Sequence, residues 1–389
     1  MYAVFWLTFA LGEYPMMGLE RLFGWLGTAI SGFWPEGSES WLRSLLVDGV
    51  IAGVGGVVVF LPNILLLFLA IAMLEDTGYM ARAAFVMDRI MHKIGLHGKS
   101  FIPMLIGFGC SVPAIMAARI LDNRRNQLTT IMVIPLMSCG ARLTIYALFI
   151  PAFFPPHWQG PMLWLIYLIG IALGIVAAKV LRLTVFRGET MPFVMELPPY
   201  RMPTSKGVLV HTWQRGWLYI RKAGTVILAV SIALWFAMNF PKPPADRLEG
   251  RSAQEARQEG LWYSTVGRVG LAVEPLLRPL GFDWRIGTAL IGSVAAKELF
   301  VSQLGIIYAV ESPDEEAPSL REQLRADYTP LVGFCVMLFC LVSAPCIATV
   351  AMTRQETNSW GWALFQFFGL TALAYVLTLL VYQVGRLWL

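Results

Sequence analysis

Residues 107–121 read GFGCSVPAIMAARIL, and residues 343–357 read SAPCIATVAMTRQET. Each sets a cysteine beside a proline inside a run otherwise apolar enough to lie in a bilayer. Ahead of the first stands LEDTGYMARAAF (74–85), and ahead of the second VAAKELFVSQLG (294–305). A helix carrying SCGAR (138–142) follows the first stretch, and a final apolar helix follows the second. The two sets read as copies of one unit. A charge at membrane depth costs roughly 2.5–3.5 kcal/mol on insertion scales, so a chain that keeps charges in two matching places is expected to use them. Interrupted helices in corresponding parts of two halves point to a transport site.

Of 389 residues, 57% are hydrophobic and 14% charged. Apolar runs of about 20 residues, the length that crosses a hydrocarbon core, recur along the chain. Those at 163–181, 225–240, 331–350 and 364–384 are the clearest spans, and they lack the polar faces of soluble helices. The expected fold is all-α: a polytopic transmembrane helical bundle with two inverted gate-type repeats containing broken helices. The net charge of +5 comes from Lys and Arg in loops, which sets orientation. Nothing resembles a nucleic-acid module. The five cysteines are odd in number and scattered through apolar segments, so free thiols are expected. Cys335 and Cys340 read as small hydrophobes in a helix interface, whereas Cys110, Cys139 and Cys346 sit beside Pro or Gly breaks.

Loops rich in Lys and Arg should face the cytoplasm: one around Arg119, Arg124 and Arg125, and one from Arg182 to Lys222. Counting crossings from these anchors, 46–60 descends, 61–93 rises and 101–119 descends, which gives the two copies opposite topology. A re-entrant hairpin over 61–93, broken at Pro62 and Gly78, is the alternative. The expected organisation is a first membrane helix and outer interfacial segment (1–44), a first gate repeat (45–155), connecting transmembrane helices with a basic cytoplasmic loop (156–240), an external loop (241–283) and a second gate repeat (284–389). The run 1–11 is apolar with neither a basic start nor a cleavage site, and reads as a membrane helix already under way.

Chemistry concentrates at the breaks. Proline removes a backbone donor and glycine permits open conformations, so GFGCSVP and SAPC should bare carbonyls beside a thiol. An ordinary kink healed by a neighbouring helix is the alternative. Arg142 shares a helix start with Cys139, either to tune that thiol or as a structural salt bridge. Glu75 and Asp76 in the first copy correspond to Lys297 and Glu298 in the second. Adjacent helix residues point about 100° apart, so one of each pair faces a shared path, and Glu75 and Glu298 are favoured. Ion pairs, Lys297 with Glu298 and Asp76 with Arg82, are the competing reading. Thiolates with carboxylates suit a borderline metal such as Fe(II), whereas Mg and Ca want oxygen alone.

The four stretches GFGCSVPAIMAARIL, SCGARLTIYALFIPAFF, GSVAAKELF and PCIATVAMTRQETNSWGWALF resemble the two gate regions of the ferrous iron transport protein B family, FeoB, and the likeness covers nearly the whole chain. The resemblance implies a multi-pass Fe(II) importer of the bacterial inner (cytoplasmic) membrane, a transporter rather than an enzyme, with Fe(II) as cargo and no cofactor. It implies metal contacts at Cys110, Cys139 and Cys346, with Glu75 and Glu298 at acidic positions of the same motifs. Its expected partners are the lipid bilayer, a cytoplasmic GTP-binding domain or subunit, small accessory Feo proteins and other copies of the chain.

The family's GTP-binding domain needs a G-x-x-x-x-G-K-[ST] loop to cradle phosphates. This chain has Gly98-Lys99-Ser100 with Lys93, not glycine, five positions earlier, and no NKxD sequence, so it is not expected to hydrolyse GTP unaided. The gate pattern is also similar to that of concentrative nucleoside carriers, which leaves an ion-driven organic solute as a second reading. A third is a membrane module that senses metal or docks a GTPase without transporting. The acidic run 311–316 reads as a solvated loop, residues 18–33 as an interfacial helix, and Gly53, Gly55 and Gly56 as small-residue packing.

Overall fold

In the computed structural model of the chain, the described residues are 2–32, 41–187, 200, 202–244, 259–260, 262–308 and 320–388. The acidic run 311–316 and much of the expected loop 241–283 lie outside them. In chain order the helices are α1 Tyr2–Ser31, α2 Ala52–Asp76, α3 Tyr79–Ile94, α4 Phe101–Gly107, α5 Ser111–Ala117 and α6 Arg124–Val133. Then come α7 Gly140–Phe153, α8 Pro156–Thr184, α9 Ser205–Tyr219 and α10 Thr225–Asn239. Last are α11 Thr265–Leu277, α12 Trp284–Ala295, α13 Leu299–Ile307, α14 Leu320–Asp327, α15 Pro330–Val342, α16 Ile347–Thr357 and α17 Trp360–Trp388. Among the described residues there is no strand, and the fold is all-α.

Among the described residues, four helical runs are long and apolar enough to cross a membrane: Arg124–Phe153, Pro156–Thr184, Pro330–Thr357 and Trp360–Leu387. A fifth candidate pairs Leu61–Asp76 with Tyr79–Ile94 across an 82° bend. The chain is a multi-pass helical membrane protein. Large apolar side chains point outward along α8 and α17, including Trp164, Leu168, Phe368 and Leu380, as expected of surfaces solvated by lipid. The run expected at 225–240 is shorter than a crossing in its apolar part, Leu228–Asn239. It continues from α9 through the π-turn Ile220–Gly224.

Local sequence sets the ends of these elements. Asn123 accepts from Arg125 N (2.9 Å) ahead of α6, Ser264 Oγ accepts from Gly267 N (3.2 Å) ahead of α11, and Asp283 Oδ1 accepts from Ile286 N (3.0 Å) ahead of α12. Thr329 and Pro330 open α15. Gly95 closes α3 in the left-handed conformation that glycine adopts without strain (φ 88°).

The boundary expected at 60–62 does not exist. α2 runs through Pro62, and the chain turns instead at Thr77–Gly78, where Gly78 has φ 74°. A proline within an apolar helix is tolerated where neighbouring groups make up the lost bond, so it bends or interrupts less than it does in water. One helix therefore stands where two opposed segments were expected. Likewise residues 18–31 continue α1 without interruption, and Phe23 packs on Gly55, where a Cβ would lie 3.2 Å from its ring.

Packing divides the chain into two compact units. The first comprises Met1–Ile134 and Ile175–Trp235, and the second Pro135–Gly174 and Phe236–Leu389. The division at 134/135 falls inside the expected first gate repeat. In the first unit, α1 and α9 pack on α2. In the second, α15 is buried from Val332 to Val342 apart from Phe334, against α7 and α17. Aromatic contacts tie that core: Phe149 to Phe300 (6.0 Å between ring centroids) and Phe282 edge-on to Phe339 (5.9 Å).

Candidate functional site

In the first unit, α4 ends at Gly107 and α5 starts at Ser111, with Cys110 between them in an extended conformation (φ −153°, ψ 132°). Cys110 occupies the N-cap position, and its carbonyl receives Ala114 N at 3.4 Å. Gly109 permits this turn because a Cβ there would lie 2.6 Å from Leu67 Cδ2. Pro113 is not the breaker expected of it. It is the third residue of α5, where a helix has no intrahelical use for an N–H, so its missing donor costs nothing.

Glu75 lies on the last turn of α2 and is exposed, while Asp76 is half-buried. Arg82 turns its guanidinium to the Gly78 carbonyl (3.2 Å) and over the Tyr200 ring (3.5 Å). The Gly98-Lys99-Ser100 segment is a single 3₁₀ turn with structural bonds. His97 Nδ1 accepts from Lys99 N (3.2 Å), Lys99 Nζ pairs with Asp122 (2.9 Å), and Ser100 Oγ accepts from buried Thr130 (2.9 Å). Burial holds the His97 imidazole below its ordinary 6.5, and the Lys99 hydrogen bond lowers the Asp122 carboxyl.

In the second unit, Cys139 is the N-cap of α7 (φ −77°, ψ 163°), with Arg142 N bonded to its carbonyl at 3.0 Å. The Arg142 side chain is buried and, among the described residues, forms no salt bridge. Its Nη1 donates to Pro135 O (2.7 Å) and Met137 O (3.1 Å), carbonyls left over where the preceding helix ends. α12 and α13 are separated by Ala296, Lys297 and Glu298. Lys297 does not pair with its neighbour Glu298; its Nζ reaches Ser343 Oγ at 3.2 Å. Ser343 belongs to the break between α15 and α16, which ends at Cys346, the N-cap of α16 (φ −59°, ψ 155°). Cys346 Sγ lies 3.1 Å from Thr349 Oγ1.

All three gate cysteines thus hold the same station: each is the extended residue that begins a helix after a break. There the free N–H groups of the first turn favour electron-rich atoms. Cys139 and Cys346 both lie near enough to Lys297 to influence it electrostatically, and Cys139 and Glu298 lie near enough to Cys346 to do the same. Among the described residues, no three His, Cys, Asp or Glu side chains are gathered closely enough to hold a metal ion. Cys335 and Cys340 are fully buried in α15.

Sequence reasoning passed over Ser343 and Thr349, and the buried polar row of α16 formed by Thr349, Thr353, Glu356 and Thr357. Thr353 Oγ1 donates to Gln366 Oε1 of α17 at 2.7 Å. The spacing Cys346, Thr349, Thr353, Thr357 marks one helix face and was available as a signal; nothing in the sequence marks Ser343 as the acceptor of Lys297.

A family model described as nucleoside recognition, Gate, matches residues 57–153 and 220–360, and one described as ferrous iron transport protein B C terminus matches 163–215. A protein named Fe(2+) transporter FeoB from Campylobacter jejuni is 44% identical over 100% of this chain and 62% of its own length. The chain belongs to the ferrous iron transport protein B family. A Porphyromonas gingivalis protein named as a fusion of Fe(2+) transport protein A and the Fe(2+) transporter FeoB is 44% identical over the whole chain and 49% of its own length. A FeoB of Helicobacter pylori is 37% identical, with 63% of its length covered. This chain therefore spans about half to three fifths of the curated FeoB relatives it matches. No solved structure matches it.

The Gate match contains all five candidate residues of this FeoB family member: Glu75, Cys110 and Cys139 in its first segment, and Glu298 and Cys346 in its second. The FeoB C-terminal match covers most of α8 and α9 and holds none of them.

Proposed function

We propose that the chain is the membrane permease part of a ferrous iron importer of the bacterial inner membrane, controlled by a GTP-binding domain or subunit. The observation that carries this reading is the shared station of Cys110, Cys139 and Cys346, each at the start of a helix that follows a break. Fe(II) is borderline-soft and accepts thiolate and carboxylate together. Cys139, Cys346 and Glu298 of the second unit and Cys110 and Glu75 of the first are the thiols and carboxylates assigned to that mixture, although among the described residues no three of them stand together around one point. Ligands of this kind replace part of an ion's hydration shell and bind weakly enough to release it. The relatives named as Fe(2+) transporters support the choice of cargo.

The test is anaerobic Fe(II) entry into sealed liposomes carrying the chain, read by a trapped chelating dye, with Mn(II), Zn(II) and Mg(II) as competitors. Flux that Cys110→Ser and Cys346→Ser abolish is the expected result. Unchanged flux in both variants sinks the ligand assignment. The description attached to the Gate match keeps an organic solute as the second reading. Uptake of a labelled nucleoside that survives both substitutions would establish it.

A further inference from the structure

We propose that α3 lies along the membrane surface and, with the neighbouring ends of α6 and α8, forms a binding surface for the phosphate headgroups of anionic phospholipids. All of these parts belong to the first unit. α2 is an apolar helix of 25 residues, about 37 Å long at 1.5 Å per residue, which is enough to cross the ~30 Å hydrocarbon core by itself. It ends in Glu75 and Asp76, and α3 leaves it at an angle of 82°. A helix set nearly square to a membrane-crossing one runs in the plane of the bilayer, and one that starts beside two carboxylates does so at the polar surface.

The faces of α3 suit that position. Met80, Ala84, Met91 and Ile94 are buried against the protein. At 100° per residue, Tyr79, Val86 and Ile90 form a second strip about 40° wide, and they are 48%, 72% and 50% exposed. Exposed Arg89 and Lys93 form a third strip beside it, and Phe85 stands alone beyond them. Protein-facing, lipid-facing and headgroup-facing sides thus follow one another around the helix, with the long basic side chains reaching up to the phosphates.

The basic strip continues onto the neighbouring helices. Gly95, which closes α3, approaches α8 so closely that a Cβ there would lie 3.3 Å from Arg182 Cγ. Arg125 Nη1, on the first turn of α6, donates to the carbonyl of Arg187 just beyond α8 at 2.9 Å. Arg89, Lys93, Arg125, Arg182 and Arg187 are thereby brought to one corner, and among the described residues none of the five is ion-paired. Five cations without a carboxylate repel one another, and a layer of anionic headgroups supplies the missing charge. The positive-inside rule puts this corner on the cytoplasmic side. From another side of α3, Asp88 accepts from Gly98 N at 2.9 Å, so the helix that rests on the headgroups also holds the segment leading to Cys110.

The test is the melting temperature of the purified full chain in a neutral detergent with phosphatidylglycerol, phosphatidylcholine or inorganic phosphate added. Phosphatidylglycerol should raise it clearly more than phosphatidylcholine does, and inorganic phosphate should leave it unchanged, because the surface takes phosphates anchored in lipid. In the triple variant Arg89→Gln, Lys93→Gln, Arg182→Gln, which removes three of the five charges, the advantage of phosphatidylglycerol should fall by about half or more. Arg278→Gln, an exposed arginine of the second unit, should keep it. Val86→Ser with Ile90→Ser should shrink the gain from either lipid. Equal gains from the two lipids in the parent overturn the proposal, and are what a surface that docks a soluble domain would give. Inorganic phosphate that matches phosphatidylglycerol overturns it too, as does a triple variant that keeps the full advantage or an Arg278→Gln protein that loses as much. Should the triple variant not fold, Lys93→Gln alone decides, and an undiminished advantage there overturns the proposal equally.

Discussion

Gly98 N donates to Asp88 Oδ1 at 2.9 Å, and the glycine lies so close to α3 that a Cβ would sit 2.9 Å from the Ala84 carbonyl oxygen and 2.6 Å from Asp88 Oδ1. A side-chain carboxylate can swing aside, but a helix carbonyl cannot. Gly98→Ala should therefore lower stability by about 1–3 kcal/mol through overpacking, read as a lower melting temperature in detergent. Asp88→Asn keeps an acceptor oxygen and should melt close to the parent. A Gly98→Ala protein as stable as the parent would show the approach to be looser than described.

Arg142 is bonded to Pro135 O and Met137 O with its charge buried. Arg142→Met leaves two buried carbonyls without donors and should cost roughly 2–4 kcal/mol. Arg142→Lys, with one ammonium in place of a fork, should recover part of that. The check is chemical denaturation of both variants; equal stability of Met and Arg at this position would rule out the capping role.

His97 gives a pH dependence with a definite sign. Its Nδ1 accepts the Lys99 N–H, which requires the neutral ring, and burial holds its folded value below 6.5. Between the folded and unfolded values the unfolded chain binds the extra proton, so stability rises with pH there. The contribution is complete above 6.5 and is lost as pH falls through that value toward the folded one. Melting temperature should drop between about pH 7 and 5 in the parent and drop less in His97→Gln. Parallel curves would remove His97 as the cause.

Cys110, Cys139 and Cys346 are partly accessible, whereas Cys335 and Cys340 are buried. A maleimide should modify the first three in the native protein and reach the other two only on unfolding. The triple variant Cys110→Ser, Cys139→Ser, Cys346→Ser should take up almost no label when native. Rapid native labelling of that variant would contradict the packing of α15.

The places where helices break were legible because glycine and proline stand beside charges in apolar runs, and Gly78 and Pro345 behave as that pattern implies. Pro62 and Pro113 do not, because a proline's effect depends on its position in the helix and on its neighbours, which composition does not encode. The choice of Glu75 over Asp76 picked the more exposed of two adjacent carboxylates. The partner of Lys297 lies 46 residues away, and a bond of that range comes from tertiary packing. Periodicity speaks for four residues, not forty.

Each gate thiol sits on the one extended residue joining a break to the helix it begins. Rotation about that residue's backbone re-aims the whole following helix, so the sulfur is mounted on the joint. Whatever tugs on the sulfur applies torque to α5, α7 or α16, and whatever swings one of those helices drags its sulfur along. Under the proposed ligand assignment grip and lever are one part, and such a part cannot release its load while standing still.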